Sequence, residues 1–384
     1  MEIYIHIPFC VQKCKYCDFL SAPADDEAQN AYMEALCKEI EERSGSYRDC
    51  EVTSLFIGGG TPTAVNPEWI VKVMRLVKSC YKISETAEIS MEMNPGTVDE
   101  NALQQYKTAG INRLSIGLQS ANDMELHRIG RIHDYEDFEK CYGMVRKIGF
   151  CNVNVDLMCA LPEQTFETFK KSLEQVVHLS PAPEHISVYS LILEEGTPLY
   201  REHQRRGLNL PDEDTERMMY EYTGEMLHSY GYERYEISNY AKSGCECRHN
   251  IGYWKREDYL GFGIGAASKI GNRRFSNISD ILKYELQPCN SYVDVQELSK
   301  REEMEETMFL GLRMIKGVSL QAFESLFGVS MEKVYSKVIN KHRSNGLLEV
   351  DVEAGEKYLR LTKRGLDVSN YVMSDFLEPV FFDF

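Results

Sequence analysis

Apolar and polar positions along the chain alternate between two rhythms. Short runs at 2–8, 54–57, 87–93, 113–118, 152–157 and 185–191 are dense in Ile, Val, Leu and Met, as strands in a sheet covered on both faces are. Between them, segments 25–43, 68–79, 100–109, 135–148 and 166–178 repeat apolar residues three and four apart, the period of a helix with one buried face. Six βα repeats in series predict an α/β fold with a parallel sheet, either doubly wound or curled into part of a barrel. Loop chemistry favours the barrel. Gly58-Gly59-Gly60-Thr61 follows the second strand, Glu92 and Asn94 end the third, Gln119 follows the fourth and Asp156 lies in the fifth. The C-terminal ends of parallel strands carry the chemistry in such folds, so these residues are expected at one mouth.

From residue 215 the rhythm changes to a helix (215–230), a short strand (233–237), a Cys/His-containing loop (243–254) and a Gly-rich turn (261–265), read as an extension of the barrel. After residue 301 come amphipathic segments at 302–314, 320–326 and 331–345, then a hairpin at 347–352 and 358–361. That order resembles a winged helix and predicts a smaller, mostly helical C-terminal domain. The expected boundaries are 1–214, 215–300 and 301–384.

Composition narrows the function classes. A chain of 384 residues, 43% of them hydrophobic, can bury a large core, which excludes disorder as the dominant state. A net charge of −17, from 43 Lys+Arg against 60 Asp+Glu, argues against a nucleic-acid partner. No stretch approaches the roughly 18 apolar residues of a membrane helix, and residues 1–4 begin like a strand without a basic leader. A soluble, cytoplasmic protein is expected. Of 12 cysteines, nine (37, 50, 80, 141, 151, 159, 245, 247 and 289) are spread along the chain and are expected as small buried hydrophobes. A secreted disulfide framework belongs to much shorter chains.

The other three, Cys10, Cys14 and Cys17, form a C-x3-C-x2-C triplet directly after the first strand. Thiolates suit iron–sulfur or zinc, but structural zinc wants four protein ligands, and no fourth Cys or His lies at normal spacing. His6 is inside the strand and Asp18 is a poor closing ligand. Three ligands and one vacancy are what a reactive cluster requires. Lys13 and Lys15 read as solvated loop charges or as a docking patch for an electron donor.

The triplet, with Tyr16 just before its third cysteine, resembles the signature of the radical-SAM superfamily. The resemblance implies a partial (β/α)6 barrel and a [4Fe-4S] cluster on Cys10, Cys14 and Cys17. The open iron would chelate the amino and carboxylate groups of S-adenosylmethionine (SAM), whose reductive cleavage gives a 5′-deoxyadenosyl radical. Gly58-Gly59-Gly60-Thr61-Pro62 alone is a weak signal and lacks a P-loop lysine. In second place after the triplet it resembles the motif that bonds the methionine amino group. Glu92, Gln119, Arg131 and Asp156 would each pass singly as ordinary polar residues. Together they supply acidic partners for an ammonium and ribose hydroxyls and a guanidinium for a carboxylate.

Further stretches sharpen the resemblance: Tyr4-Ile-His6-Ile-Pro8-Phe9-Cys10, Gly117-Leu-Gln119-Ser120, and Asn154-Val-Asp156-Leu157-Met158 followed by Leu161-Pro162. With their order and spacing they resemble the oxygen-independent coproporphyrinogen III oxidase group over nearly the whole chain. In that group the positions matching Tyr4, Tyr16, Gly59, Gly60, Thr61, Glu92, Gln119, Arg131 and Asp156 contact SAM, with two molecules bound in the oxidase itself. Two departures point away from the oxidase, which has a long segment before its cysteines and continues as C-x3-C-x2-C-x-C. Here the motif starts ten residues in, and Phe19 stands where the last cysteine would be.

His249-Asn250-Ile-Gly-Tyr253-Trp254 matches H-N-x-x-Y-W, a pattern that resembles the heme-chaperone branch of the group. That resemblance implies heme as a further cofactor, with His249 on the iron and Tyr253 and Trp254 as flat apolar surface for the macrocycle. Cys247, and more weakly Cys245, are alternative ligands. The plainer reading has His249 capping a turn and the two aromatics in the core. The implied partners are heme, heme-accepting proteins, an electron donor and, as an open expectation, a second copy of the chain. The remaining histidines, 6, 127, 133, 178, 185, 203, 228 and 342, read as structural or surface residues. A heme chaperone is therefore expected, against a radical-SAM enzyme acting on a tetrapyrrole or, more remotely, a zinc-stapled regulator using its C-terminal helices on DNA.

Overall fold

The computed structural model describes residues 1–290 and 292–377. Six strands, β1 (Glu2–Ile7), β2 (Glu51–Gly59), β3 (Lys82–Met93), β4 (Arg113–Gln119), β5 (Val153–Cys159) and β6 (His185–Ser190), lie parallel and side by side in chain order. The intervening helices Asp26–Tyr47, Pro67–Cys80, Glu100–Ala109, Tyr135–Ile148 and Phe166–Val177 start where a side chain can accept a first-turn N–H. The caps are Asp25, Asn66, Asp99, Asp134 and Thr165. Alternation along β1 sends Ile3, Ile5 and Ile7 into the main core and leaves Glu2, Tyr4 and His6 on the inner face.

That inner face is a lumen. Cys17, beyond the end of β1, and Tyr189 in β6 line one cavity, although five strand spacings would hold them about 24 Å apart in a flat sheet. The sheet is therefore curled.

Residues after 230 extend it at both edges. β7 (Glu233–Arg234) and β8 (Asn239–Ala241) continue antiparallel beyond β6. On the other side β9 (Tyr259–Phe262) joins β1 in parallel, followed by antiparallel β10 (Ala267–Ile270), β11 (Arg273–Asn277) and β12 (Tyr292–Glu297). The order runs from β12 to β7 without closure, so the barrel is open.

Three local expectations change here. The loop expected at 243–254 contains a helix, Arg248–Trp254, because the Glu88 carboxylate accepts the N–H groups of Arg248 (3.0 Å) and His249 (3.4 Å) at its start. The first two residues of the turn expected at 261–265 are strand, since Gly261 and Phe262 pair with the free edge of β1. The strand expected over 233–237 stops at Arg234, because Glu236 turns the chain by accepting from Ser238 N–H (2.7 Å) and Asn239 Nδ2 (2.6 Å). The helices Asp123–Ile129 and Pro198–Arg206 were not anticipated.

The C-terminal segment packs helices Lys300–Gly311, Leu320–Phe327 and Met331–Ser344 on a hairpin of β14 (Leu348–Glu353) and β15 (Glu356–Leu361), with β13 (Val318–Ser319) on the other edge of β15. It has its own core, including Met304, Met308, Phe323, Tyr335, Leu359 and Phe376. Arg256, nearly buried, ties it to the barrel through Glu306 (3.0 Å) and Thr307 (3.1 Å). Among the described residues no helix is long and apolar enough to cross a membrane.

Candidate functional site

A cavity of about 380 Å³ opens at the C-terminal ends of β1–β6. Twelve of the residues expected at the mouth line it: Cys10, Cys14, Tyr16, Cys17, Gly59, Gly60, Thr61, Glu92, Asn94, Gln119, Arg131 and Asp156. The cysteine loop is pinned at both ends, by Cys10 N–H on Ala22 O (3.2 Å) and Lys15 N–H on Ile129 O (2.9 Å). Lys13, exposed as a solvated loop charge would be, donates from Nζ to Phe19 O (2.7 Å), and half-buried Lys15 donates to Arg128 O (3.3 Å). Gly60 lies so close that a Cβ there would sit 2.6 Å from Phe9 O and 2.9 Å from Cys10 Sγ. Glycine is what lets the end of β2 meet the cysteine loop. Among the described residues no three His, Cys, Asp or Glu side chains converge closely enough for a single metal ion. Three thiols spread around one wall suit a cluster, where each ligates its own iron.

The acidic groups are held in an unusual state. Glu92 Oε2 accepts from Gly59 N–H (3.1 Å), and burial, with the charge of Asp156 added, pushes its pKa up to about 8. Asp156 is also raised by burial, against bonds from Asn154 (2.8 Å) and Ser115 (3.0 Å) that favour the carboxylate. Arg131 is buried beside them, and its Nε has no hydrogen-bond partner. Glu92, with no cation among the groups that set its charge, Asp156, which feels the buried Arg113, and a guanidinium with a spare N–H match a ligand carrying ammonium, hydroxyls and carboxylate. The residues present therefore fit SAM on a [4Fe-4S] cluster. Phe19, 58% exposed, stands on the cavity rim.

Four expected site residues lie elsewhere. Tyr4 faces the lumen but one layer below the cavity, its hydroxyl 3.0 Å from His6 Nδ1, and it is not part of the cavity wall. His249 lies deeper still, where its helix closes the N-terminal end of the lumen. Its ring stacks on Phe56 (5.2 Å) and Tyr4 (6.5 Å), its Nδ1 is 2.9 Å from Ser54 Oγ, and its side chain is 12% exposed. Tyr253 packs on Trp254 and Tyr259, while Arg313, in the turn after the helix Lys300–Gly311, covers the Trp254 ring at 4.3 Å. The three residues thus do not form one exposed face for a macrocycle. Each ring already has a packing partner, but the plainer reading does not hold either, since His249 lies within a helix and Tyr253 and Trp254 are half-buried and not core. Cys247 is fully buried with its thiol against Glu88 (3.4 Å), so it is not an open ligand in this arrangement. Cys37, Cys141 and Cys159 are buried as expected of spread cysteines, whereas Cys50 and Cys151 are exposed, and all twelve are free thiols.

One contributor to the cavity, Tyr189, was not singled out from the sequence, and Asn94, expected at the mouth, has a bonding role that was not foreseen. Tyr189 donates to Gln119 Oε1 (2.9 Å), and its inward direction follows from two-residue alternation with His185 and Ser187 along β6. Asn94 bonds both Thr61 and Arg131, a role no local pattern announces.

Comparison with known proteins agrees with this geometry. The family model described as the radical SAM superfamily matches residues 4–176, and that of the HemN C-terminal domain matches residues 298–368. A heme chaperone HemW from Bacillus subtilis (strain 168) is 36% identical over 97% of this chain and 98% of its own. One from Lactococcus lactis is 34% identical over 97% and 96%. The radical S-adenosyl methionine domain-containing protein 1, mitochondrial, from Danio rerio is 31% identical over 96% and 83%. Among solved structures, coproporphyrinogen III oxidase (HemN) from Escherichia coli superposes with a TM-score of 0.84 over 98% of this chain and 89% of its own, at 24% identity, which speaks for the fold alone. This chain belongs to the radical SAM superfamily and, within it, to the family whose curated members carry the name heme chaperone HemW.

Proposed function

We propose that this protein is a heme chaperone. On this reading it holds a [4Fe-4S] cluster on Cys10, Cys14 and Cys17, binds SAM at the open iron, and carries heme to acceptor proteins in the cytoplasm. The observation that carries the reading is the likeness to proteins named heme chaperone HemW over nearly the full length of both chains, joined to a cavity whose side chains fit SAM. A reduced cluster held there would supply an electron to the sulfonium of SAM, so an electron donor is proposed as a further partner. The chain's own residues do the placing. The glycines at 59 and 60 let the end of β2 close on His6 and the cysteine loop, Glu92 and Asp156 take the ligand's ammonium and hydroxyls, and Arg131 offers Nε to its carboxylate.

For heme, His249 remains the proposed iron ligand, with Tyr253 and Trp254 as the flanking surface. Burial, with Arg113 nearby, lowers the pKa of His249 to about 4, so its imidazole is neutral and has a lone pair to give. Its ring, however, must leave the stack on Phe56 before iron can reach it. Heme uptake on this reading is coupled to outward movement of the helix Arg248–Trp254.

Anaerobic titration of purified protein with heme, wild type beside His249→Ala, tests the ligand. The wild type is expected to show a saturable heme spectrum that the variant loses, and indistinguishable spectra and affinities would exclude His249. The competing reading, a radical-SAM enzyme acting on a tetrapyrrole, is favoured by the complete SAM-fitting cavity, which simple carriage does not require. Incubation with coproporphyrinogen, SAM and reductant separates the two: catalytic formation of protoporphyrinogen would overturn the chaperone reading.

A further inference from the structure

A continuous arc of hydrogen bonds within the cavity wall joins two of the three cysteines. Thr61 Oγ1 donates to Cys10 Sγ (3.7 Å) and accepts from Asn94 Nδ2 (2.7 Å). Asn94 Oδ1 accepts from Arg131 Nη2 (2.6 Å), and Arg131 Nη1 donates to Cys14 Sγ (3.6 Å). The proton directions follow from chemistry. A guanidinium can only donate, so the Asn94 atom facing Arg131 is its oxygen, which turns the amide nitrogen to Thr61. With its oxygen occupied by that donor, the Thr61 hydroxyl must send its own proton elsewhere, and Cys10 Sγ is the acceptor in reach. One amide thus sets both sulfur contacts.

The surroundings hold that amide in place. Asn94 O accepts from Thr97 Oγ1 (2.7 Å), which fixes the backbone at the end of β3. A Cβ at Gly117 would stand 2.9 Å from Asn94 Oδ1, so glycine clears the path between Asn94 and Arg131. Arg131 also donates to Gly117 O. Donors aimed at ligand sulfurs stabilise the more negative, reduced state of an iron–sulfur cluster and so raise its reduction potential.

We propose that Asn94 is a positioning residue that sets the reduction potential of the cluster by orienting Thr61 toward Cys10 and Arg131 toward Cys14. The proposal rests on the cluster assignment made above. Asn94 touches neither cysteine and acts through the two donors.

The test is an anaerobic redox titration of the reconstituted protein followed by low-temperature EPR, without SAM, so that ligand binding does not enter. Asn94→Leu is expected to lower the midpoint potential while iron and sulfide per chain stay at the wild-type level. In a Thr61→Val/Arg131→Gln background the same substitution should add nothing. Thr61→Ser, which keeps the hydroxyl, should restore the wild-type value that Thr61→Val loses. Asn94→Asp, of nearly the same shape, guards against a folding failure: its carboxylate draws the Thr61 proton away from Cys10, so the potential falls there too. A potential unmoved by both Asn94 variants, or moved equally in the double-variant background, overturns the proposal alone. Wild-type protein that takes up no iron and sulfide overturns the cluster reading as well.

Discussion

The imidazole of His249 lies 5.2 Å from the ring of Phe56, their planes 26° apart, and with Tyr4 the two rings fill the lumen beneath the cavity. Glu2 pairs across the sheet with Ser54, and Tyr4 with Phe56, so His249 sits at the level of the first of these rows. The residues that suit SAM and the residue proposed for heme are therefore separated by one aromatic layer, with no common pocket.

That layer makes the plug testable through Gly252. A Cβ there would come within 2.1 Å of Glu2 Oε1, and Glu2, only 2% exposed, has little room to yield. Gly252→Ala is expected to push the helix Arg248–Trp254 outward at a cost of about 1–3 kcal/mol in unfolding free energy. If His249 must leave its stack to bind iron, the variant also takes up heme faster than wild type in stopped flow. An unchanged uptake rate in a measurably destabilised variant would count against the movement.

At the other end of the lumen, Gly60→Ala places a methyl group against Phe9 O and Cys10 Sγ. The cysteine loop must then part from the end of β2. The expected outcome is folded protein with iron and sulfide per chain reduced several-fold after reconstitution, and full loading would show that the loop tolerates the shift.

Burial of Glu92 gives a pH dependence whose sign is set. Its pKa is about 8 in the fold against 4.5 ordinarily, so the folded state keeps a proton that the unfolded chain loses, and stability falls as pH rises between those values. Glu2 behaves alike, also at about 8. The buried histidines act oppositely but at lower pH: His249 at about 4 and His133 at about 3 lose stability as pH falls from 6.5. Above pH 6.5 the carboxyls dominate, each contributing a slope of up to about 1.4 kcal/mol per pH unit. Buried thiols such as Cys141 and Cys247, raised by burial to about 12, add a loss of the same sign only as pH nears the ordinary thiol range. Denaturant titrations of ligand-free protein at pH 6.5 and 8 should show this loss, and Glu92→Gln should remove part of it. A variant with the wild-type slope would show that Glu92 is ionised throughout.

Arg256 offers a test of how the C-terminal helices are held. Its guanidinium, nearly buried, bonds Glu306 and Thr307. Arg256→Ala leaves Glu306 with Arg274 as its remaining partner (2.9 Å), and a loss of about 1–2 kcal/mol is expected. Limited proteolysis should then cut between the barrel and residue 300 sooner than in wild type, while the cluster content stays unchanged.

What the chain shows by itself is whatever depends on near neighbours. The three cysteines fall within eight residues and need only one loop to meet, so their shared role is visible in the spacing. The period of two that buries Ile3, Ile5 and Ile7 turns Tyr4 and His6 inward, and six such strands in series announce the parallel sheet. The polar groups at strand ends, Glu92, Gln119 and Asp156, reach one cavity because parallel strands end on the same side.

The rest was decided by contacts between distant residues. The stretch holding His249, Tyr253 and Trp254 was read as a loop, and no local signal says that Glu88, 161 residues earlier, caps a helix there and draws His249 under Phe56. Tyr259–Phe262 became strand because β1 had an unpaired edge to offer. Asn94 meets Arg131 across 37 residues, and only closure of the sheet brings that amide between the donors to Cys10 and Cys14. Periodicity and capping reach a few residues along the chain, whereas a hydrogen bond across a lumen exists only once the sheet has curled.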